Sequence, residues 1–337
     1  MSAGTAQALW FPEARRAELR EEPVESPGVD ELLIRAICSL VSAGSELNVY
    51  RGEAVSAEEI GLPTTRGEFP FPIKFGYQVV GRVESAGTDT GHAQGDVVFC
   101  QHPQQDRFVI PASLTYPVPA GLKPETAALA NLCNVALNCH LDVPVRFGDC
   151  CAVSGLGVIG TLVAQLARRT AGALVLIDPL PERRALAAAV GADAVVPPED
   201  AVEAIEGVSD GRGADVFIEA SGATAALQVA LRGTGVEGTI AVISYYANRS
   251  ASLVLSPEFH LRRQRIVSSM VRIVGSGLQP RWDKNRRMAT AMSLVAELGA
   301  EALVTHRLPF ANAPAAYELI ANRPAETLGV LLEYDVP

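Results

Sequence analysis

The sequence has no apolar run near the ~18–20 residues that a membrane-spanning helix needs. Its first residues, MSAGTAQALWFPEARR, lack the basic start and apolar core of a secretory signal. A cytoplasmic location is the expectation. Lysine is nearly missing, with Lys74, Lys123 and Lys284 the only three. Lys and Arg together number 28 against 38 Asp and Glu, a net charge of -10 with no basic cluster to offset it. That argues against a nucleic-acid partner held through its phosphates. Cys38, Cys100, Cys133, Cys139, Cys150 and Cys151 lack the even, close spacing of a small disulfide scaffold. A chain this long needs no such staples, so all six are expected to be reduced thiols.

What remains is an ordinary globular composition, 48% hydrophobic and 20% charged. At 337 residues the chain exceeds the ~250–300 at which one core stops growing, so two domains are expected. In the first third, residues 31–40, 77–85, 96–100 and 107–110 read as short strands separated by Gly and Pro. No helical period of useful length precedes Pro124. From Cys150 onward strands and helices alternate. Strands are expected over 150–154, 173–178, 192–196, 214–222 and 238–244, and helices over 158–169, 181–190 and 223–232. Such alternation implies a parallel sheet covered on both faces. A helix over 285–298 and a strand over 328–334 close the chain.

Gly155-Leu156-Gly157-Val158-Ile159-Gly160 fits G-x-G-x-x-G. Alone the pattern is common, but here an apolar strand precedes it and an amphipathic helix follows. Asp178 ends the next strand, about 20 residues on. Gly155 permits the tight turn, Gly157 lets a pyrophosphate approach, and Gly160 lets the helix pack on the sheet. The first amides of that helix, from Val158 and Ile159, face the phosphates. Asp178 is the expected acceptor for the adenosine ribose hydroxyls, and its charge favours NAD(H) over NADP(H). Arg183 and Arg184 follow closely, either as solvated helix arginines or as a counterweight that admits NADP(H).

At these residues the chain resembles the medium-chain dehydrogenase/reductase family of alcohol-dehydrogenase-like proteins. ALWFPEARRAELREEPV is similar to that family's opening strands, and VSAGSELNVYRG to its metal-site loop. FGYQVVGRVESAG is similar to its G-H-E segment, GDCCAVSGLGVIGTLVAQLARR to its cofactor strand and helix, and ETLGVLLEY to its closing strand. SAGSELNVYRG, LRRQRIVSS and RWDKNRR most resemble the branch that includes bacteriochlorophyllide hydroxyethyl dehydrogenase. The resemblance implies an α/β chain, a Rossmann doubly wound parallel sheet plus a GroES-like β-barrel domain. Residues 1–120 would form the substrate domain and 121–282 the dinucleotide domain. Residues 283–337 would return to the substrate domain, with the active site in the cleft.

The resemblance also exposes a departure. Where zinc-dependent members carry C-G-[ST]-D-x-H, this chain reads Ala43-Gly44-Ser45-Glu46-Leu47-Asn48. Their G-H-E reads Gly76-Tyr77-Gln78, and their third ligand position falls near Val135. A methyl, a phenol and a valine offer Zn²⁺ no thiolate, imidazole or carboxylate. The four clustered cysteines of the structural-zinc lobe are absent, since no cysteine lies between Cys100 and Cys133. Cys100, His102, Cys133, Cys139 and His140 match no metal-ligand spacing, and no metal is expected.

Without zinc, hydrogen-bond donors must polarise the carbonyl. Ser45 matches the family's proton-relay residue, or is a turn serine. Tyr77 points its hydroxyl into the active site or fills the space left by zinc. His102 faces the cleft or the surface. Asn48 and Gln78 are neutral substitutes able to bind substrate hydroxyls. Ser221-Gly222 and Ser244 follow strands where the family's backbone passes the nicotinamide ribose, and Tyr245 walls the substrate pocket or joins the core. The expected activity is zinc-independent, NAD(H)-dependent interconversion of a secondary alcohol and ketone on a sugar, aminocyclitol or tetrapyrrole-like substrate. The alternatives are a quinone or enoyl reductase of the same fold and a non-catalytic nucleotide-binding protein. Residues 266–273 form the expected edge strand of a homodimer.

Overall fold

A computed structural model describes residues 2–55 and 62–335. The chain divides into two compact units, Met1–Asn131 with Met292–Pro337, and Leu132–Ala291.

The first unit opens with a hairpin of β1 (Ser2–Glu13) and β2 (Arg16–Glu25). Next come β3 (Glu31–Val41), β4 (Arg66–Gly67), β5 (Ile73–Lys74) and β6 (Val79–Ala86). β7 (Val97–Cys100), β8 (Arg107–Pro111) and β9 (Thr115–Pro117) complete the N-terminal set. β3 is buried along most of its length because its run of Leu, Ile, Ala and Val meets neighbours on both sides. The expected absence of any helix before Pro124 is corrected by a short one, Ser45–Arg51. It ends at Gly52, whose φ of 74° suits glycine. Its seven residues are too few to reveal a 3.6-residue period in the sequence.

The second unit holds β10 (Cys150–Ser154), β11 (Ala173–Ile177), β12 (Ala194–Val196), β13 (Ala214–Glu219), β14 (Thr234–Val242) and β15 (Arg265–Ser268). All are parallel, in the order β12-β11-β10-β13-β14-β15. Counted within this sheet the order is 3-2-1-4-5-6, which is the dinucleotide-binding Rossmann topology, with its switch point between β10 and β13. The expected edge strand over 266–273 is shorter in the structure. Pairing stops at Ser268, and the Ile273 amide closes a turn onto the Met270 carbonyl.

The chain then returns to the first unit with β16 (Val304–Pro309) and β17 (Gly329–Glu333). They extend its larger sheet as β16-β17-β3-β6-β7-β9, with β8 beside β3. The core of this unit gathers Phe11, Tyr50 and Tyr317, whose rings meet at 5.0–5.8 Å. This mixed sheet with its returning C-terminal strands is the GroES-like domain. All six cysteines are free and buried.

Candidate active site

A candidate nucleotide site is built by the first β–turn–helix of the parallel sheet. Gly155 follows β10 with a φ of 93°. A Cβ there would lie 2.5 Å from the Ser221 Cα, and one on Gly160 would lie 1.7 Å from the Gly155 carbonyl oxygen. Those two glycines are therefore demanded by packing. A Cβ on Gly157 would meet nothing within 4 Å. Gly157 instead opens a space before the helix Val158–Ala167, which starts with no side-chain cap. The amides of Val158, Ile159 and Gly160 belong to its first turn, the N-terminal end that favours anions. These features fit a dinucleotide pyrophosphate.

Asp178 is 2% exposed. Its Oδ2 accepts from the Leu156 amide at 2.7 Å and its Oδ1 from the Leu180 amide at 2.9 Å. Each oxygen keeps a second lone pair for a ribose hydroxyl. The Arg183 guanidinium lies 3.9 Å from Asp178 Oδ2. Arg184 donates to the carbonyls of Asp178 and Pro179 at 2.8 and 2.9 Å. The picture of two freely solvated helix arginines is thus corrected.

Ser221, Gly222 and Ser244 come together at the ends of β13 and β14. The Gly222 amide donates to Ser244 Oγ at 2.9 Å, and Ser244 Oγ donates to the Glu219 carbonyl at 3.2 Å. Sequence reasoning missed the hub beneath them, Glu219, which is fully buried. Its Oε1 accepts from the Ser221 hydroxyl and from the amides of Ser221 and Gly222 at 2.7 and 3.1 Å. Its Oε2 accepts from Tyr246 Oη at 2.6 Å, so burial and Glu219 push the Tyr246 phenol up. Tyr245 is half-buried beside it. An acid ending an apolar strand, followed by Ser-Gly, was the available signal.

In the first unit, Ser45 begins the short helix, and Tyr77 precedes β6. Their hydroxyls lie 2.6 Å apart, and Tyr77 donates to Ser42 Oγ at 2.8 Å. Ser42, unnoticed in the sequence, makes this a chain of three hydroxyls. Burial first, then the charge of Glu46, pushes the Tyr77 phenol up to about 12. Tyr77 is therefore a neutral phenol at physiological pH.

Asn48 and Gln78 are buried, and Gln78 Nε2 donates to the Leu40 carbonyl at 3.3 Å. His102 is neither on the surface nor among the three hydroxyls. It is 6% exposed, stacks on Phe108 at 3.8 Å and bonds the Pro103 carbonyl through Nδ1 at 2.8 Å. Burial, reinforced by Lys74, lowers its pKa to about 3, which makes it a neutral imidazole.

The side chains at the zinc-ligand positions do not fit zinc. Ala43 and Val135 carry no donor atom, and Tyr77 is a neutral phenol committed to two serines. Among the described residues no group of three or more His, Cys, Asp and Glu is placed to hold a metal ion.

Residues 158–297 match the family model "Zinc-binding dehydrogenase". D-guloside 3-dehydrogenase of Shigella flexneri is 32% identical over 266 residues, covering 76% of each chain. Sorbitol dehydrogenase of Halalkalibacterium halodurans is 27% identical over 343 residues, 93% of this chain and 94% of that one. A solved zinc-binding dehydrogenase of Sinorhizobium meliloti bound to NADP superposes with a TM-score of 0.79 at 22% identity, covering 98% and 99% of the two chains. The chain belongs to the medium-chain dehydrogenase/reductase family, the alcohol-dehydrogenase-like oxidoreductases that share the zinc-binding dehydrogenase fold.

Proposed function

We propose that this enzyme interconverts a secondary alcohol and a ketone without zinc, with NAD(H) as its preferred dinucleotide. The observation that carries the reading is the Ser42–Tyr77–Ser45 hydroxyl chain, which includes Tyr77 at a position where zinc-dependent relatives have a metal ligand. Bound nicotinamide supplies the hydride acceptor or donor. The chain's own part is to hold and move the proton. Tyr77 spends its single proton on Ser42, so Ser45 donates to Tyr77 and keeps its lone pairs open. Ser45 can thus accept the hydroxyl proton of a substrate alcohol while its own proton passes to Tyr77, that of Tyr77 to Ser42, and that of Ser42 to water. Ketone reduction reverses each transfer.

The sugar-alcohol and guloside names of the relatives support a bulky, hydroxylated substrate, either a sugar or aminocyclitol, or a tetrapyrrole side chain. Asn48 and Gln78 of the first unit are proposed to bind its hydroxyls. The proposed domain limits are 1–120 and 283–337 for the substrate domain and 121–282 for the nucleotide domain. Asp178 favours NAD(H), which speaks against an NADPH-linked quinone or enoyl reductase. A cytoplasmic homodimer completes the reading.

Elemental analysis and turnover on sorbitol, 2,3-butanediol and a D-guloside test this together. The expected result is well under one zinc per chain, activity that survives chelators, and turnover lost in Ser45→Ala and Tyr77→Phe. Stoichiometric zinc removed together with activity overturns it.

A further inference from the structure

Directly after Ser45 stands a carboxyl that the proposed chemistry has not used. Glu46 is fully buried. Its Oε2 accepts from Tyr317 Oη at 2.6 Å and from Gln104 Nε2 at 2.9 Å. Its Oε1 is buried without a hydrogen bond of good geometry, although the Ser42 and Tyr77 amides lie near enough to favour the charged form. Every element around it contributes a neutral or acidic group. These are Tyr317 from the helix Ala313–Asn322, Gln104 from the loop after β7, Tyr77 before β6, Ser42 after β3, and Tyr334 after β17. Among the described residues no arginine or lysine forms an ion pair with it, and no cation is among its leading electrostatic influences. A buried carboxylate lacking a cation is costly, and a glutamine would accept the same two bonds without charge.

We propose that Glu46 is a positioning residue for proton transfer: its bonds to Tyr317 and Gln104 anchor the helix start that carries Ser45, and its negative charge favours entry of the substrate's proton. The proposal rests on the reading of Ser45 and Tyr77 given above. In alcohol oxidation a bound nicotinamide would take the carbinol hydride with its electron pair, which leaves the hydroxyl proton for this chain to move. The hydroxyl proton enters Ser45, Ser45's proton moves to Tyr77, Tyr77's moves to Ser42, and Ser42's own proton leaves to water, so each hydroxyl ends neutral and one proton is released overall. Ionised Glu46 stabilises positive charge in that chain. Protonated Glu46 favours the reverse, ketone reduction. Burial raises the Glu46 pKa to about 7, so the change of state falls in the working range.

Infrared difference titration of the full-length protein reads the carboxyl directly. A buried protonated-carboxyl band should vanish as pH rises through about 7 in wild type and be absent in Glu46→Gln. In parallel, oxidation of sorbitol, 2,3-butanediol or a D-guloside by NAD should rise roughly tenfold between about pH 6 and pH 8 in wild type. Glu46→Gln should stay flat at the low-pH level, and Glu46→Asp should restore part of the rise. A purely structural acid would lower turnover equally at every pH. An unchanged pH profile in Glu46→Gln, or a band that does not titrate near neutrality, overturns the proposal while Ser45→Ala and Tyr77→Phe still judge the hydroxyl chain separately.

Discussion

Gly155 and Ser221 meet backbone to backbone across the switch point of the parallel sheet. A Cβ on Gly155 would sit 2.5 Å from both the Cα and the amide nitrogen of Ser221. The phosphate turn after β10 and the Ser-Gly turn after β13 therefore hold each other in place. Glu219 fixes the second turn by accepting its amides.

The glycines of that turn should consequently separate into two classes. Gly160→Ala drives a methyl into the Gly155 carbonyl at 1.7 Å, a contact that backbone must yield to relieve. It should destabilise the second unit by about 3 kcal/mol or more. Gly157→Ala has open space and a φ of -69°, so its melting temperature should hold. Its NADH affinity should nevertheless fall, because the methyl occupies the path of the pyrophosphate. Calorimetric melting and NADH titration of both variants check this. Undiminished NADH binding in Gly157→Ala would refute the phosphate placement.

Asp178 should decide between the two dinucleotides. A ribose hydroxyl on its carboxylate is a charge-assisted bond worth about 1.5–3 kcal/mol. Asp178→Asn keeps an acceptor for the Leu156 amide but loses the charge, and it leaves the Arg183 guanidinium without its neighbouring anion. NADH binding should weaken by roughly tenfold or more and NADPH binding should improve, as titration calorimetry would show. Wild-type preference for NADPH would reverse the roles of Asp178 and Arg183.

Much of this was readable from the residues. The parallel sheet announced itself because its buried strands are short apolar runs alternating with helical ones, and the glycine turn has a fixed spacing to Asp178. The hydroxyl chain was only half legible. Ser45 stood out as a match to a known pattern and Tyr77 as a departure from one, whereas Ser42 joins them through a contact across 35 positions that no local pattern encodes. Glu46 and Glu219 were overlooked because a glutamate in a sequence reads as solvated. Only the fold shows that each is fully buried. The short helix Ser45–Arg51 escaped for want of length, and the edge strand was drawn too long because β-rich composition continues past Ser268, where pairing stops.

The edge itself leads to a prediction about assembly. Among the described residues β15 is paired only with β14, and Ile266, Met270 and Ile273 nearby are 42%, 50% and 65% exposed. A bare edge with apolar side chains promotes association, and a two-fold contact satisfies it with the same residues on both chains. Sedimentation should find a dimer at micromolar concentration, and Ile266→Lys should shift it toward monomer. A wild-type monomer would exclude this arrangement.

Glu46 also makes a prediction for stability that needs no substrate. Its carboxyl titrates at about 7 in the folded chain against 4.5 for the ordinary group, because burial disfavours the charge. The folded state therefore binds the proton more tightly than the unfolded state. The associated stabilisation is complete below the unfolded value and is lost as pH rises through about 7. A shift of that size corresponds to roughly 3–3.5 kcal/mol when fully expressed. Glu46→Gln removes the titration, so its melting temperature relative to wild type should be higher at pH 8 than at pH 5, by a few degrees. Melting of both proteins across this range checks the sign. A Glu46→Gln difference that is constant with pH would mean that the carboxyl is ionised throughout, held by the Tyr317 and Gln104 hydrogen bonds despite its burial.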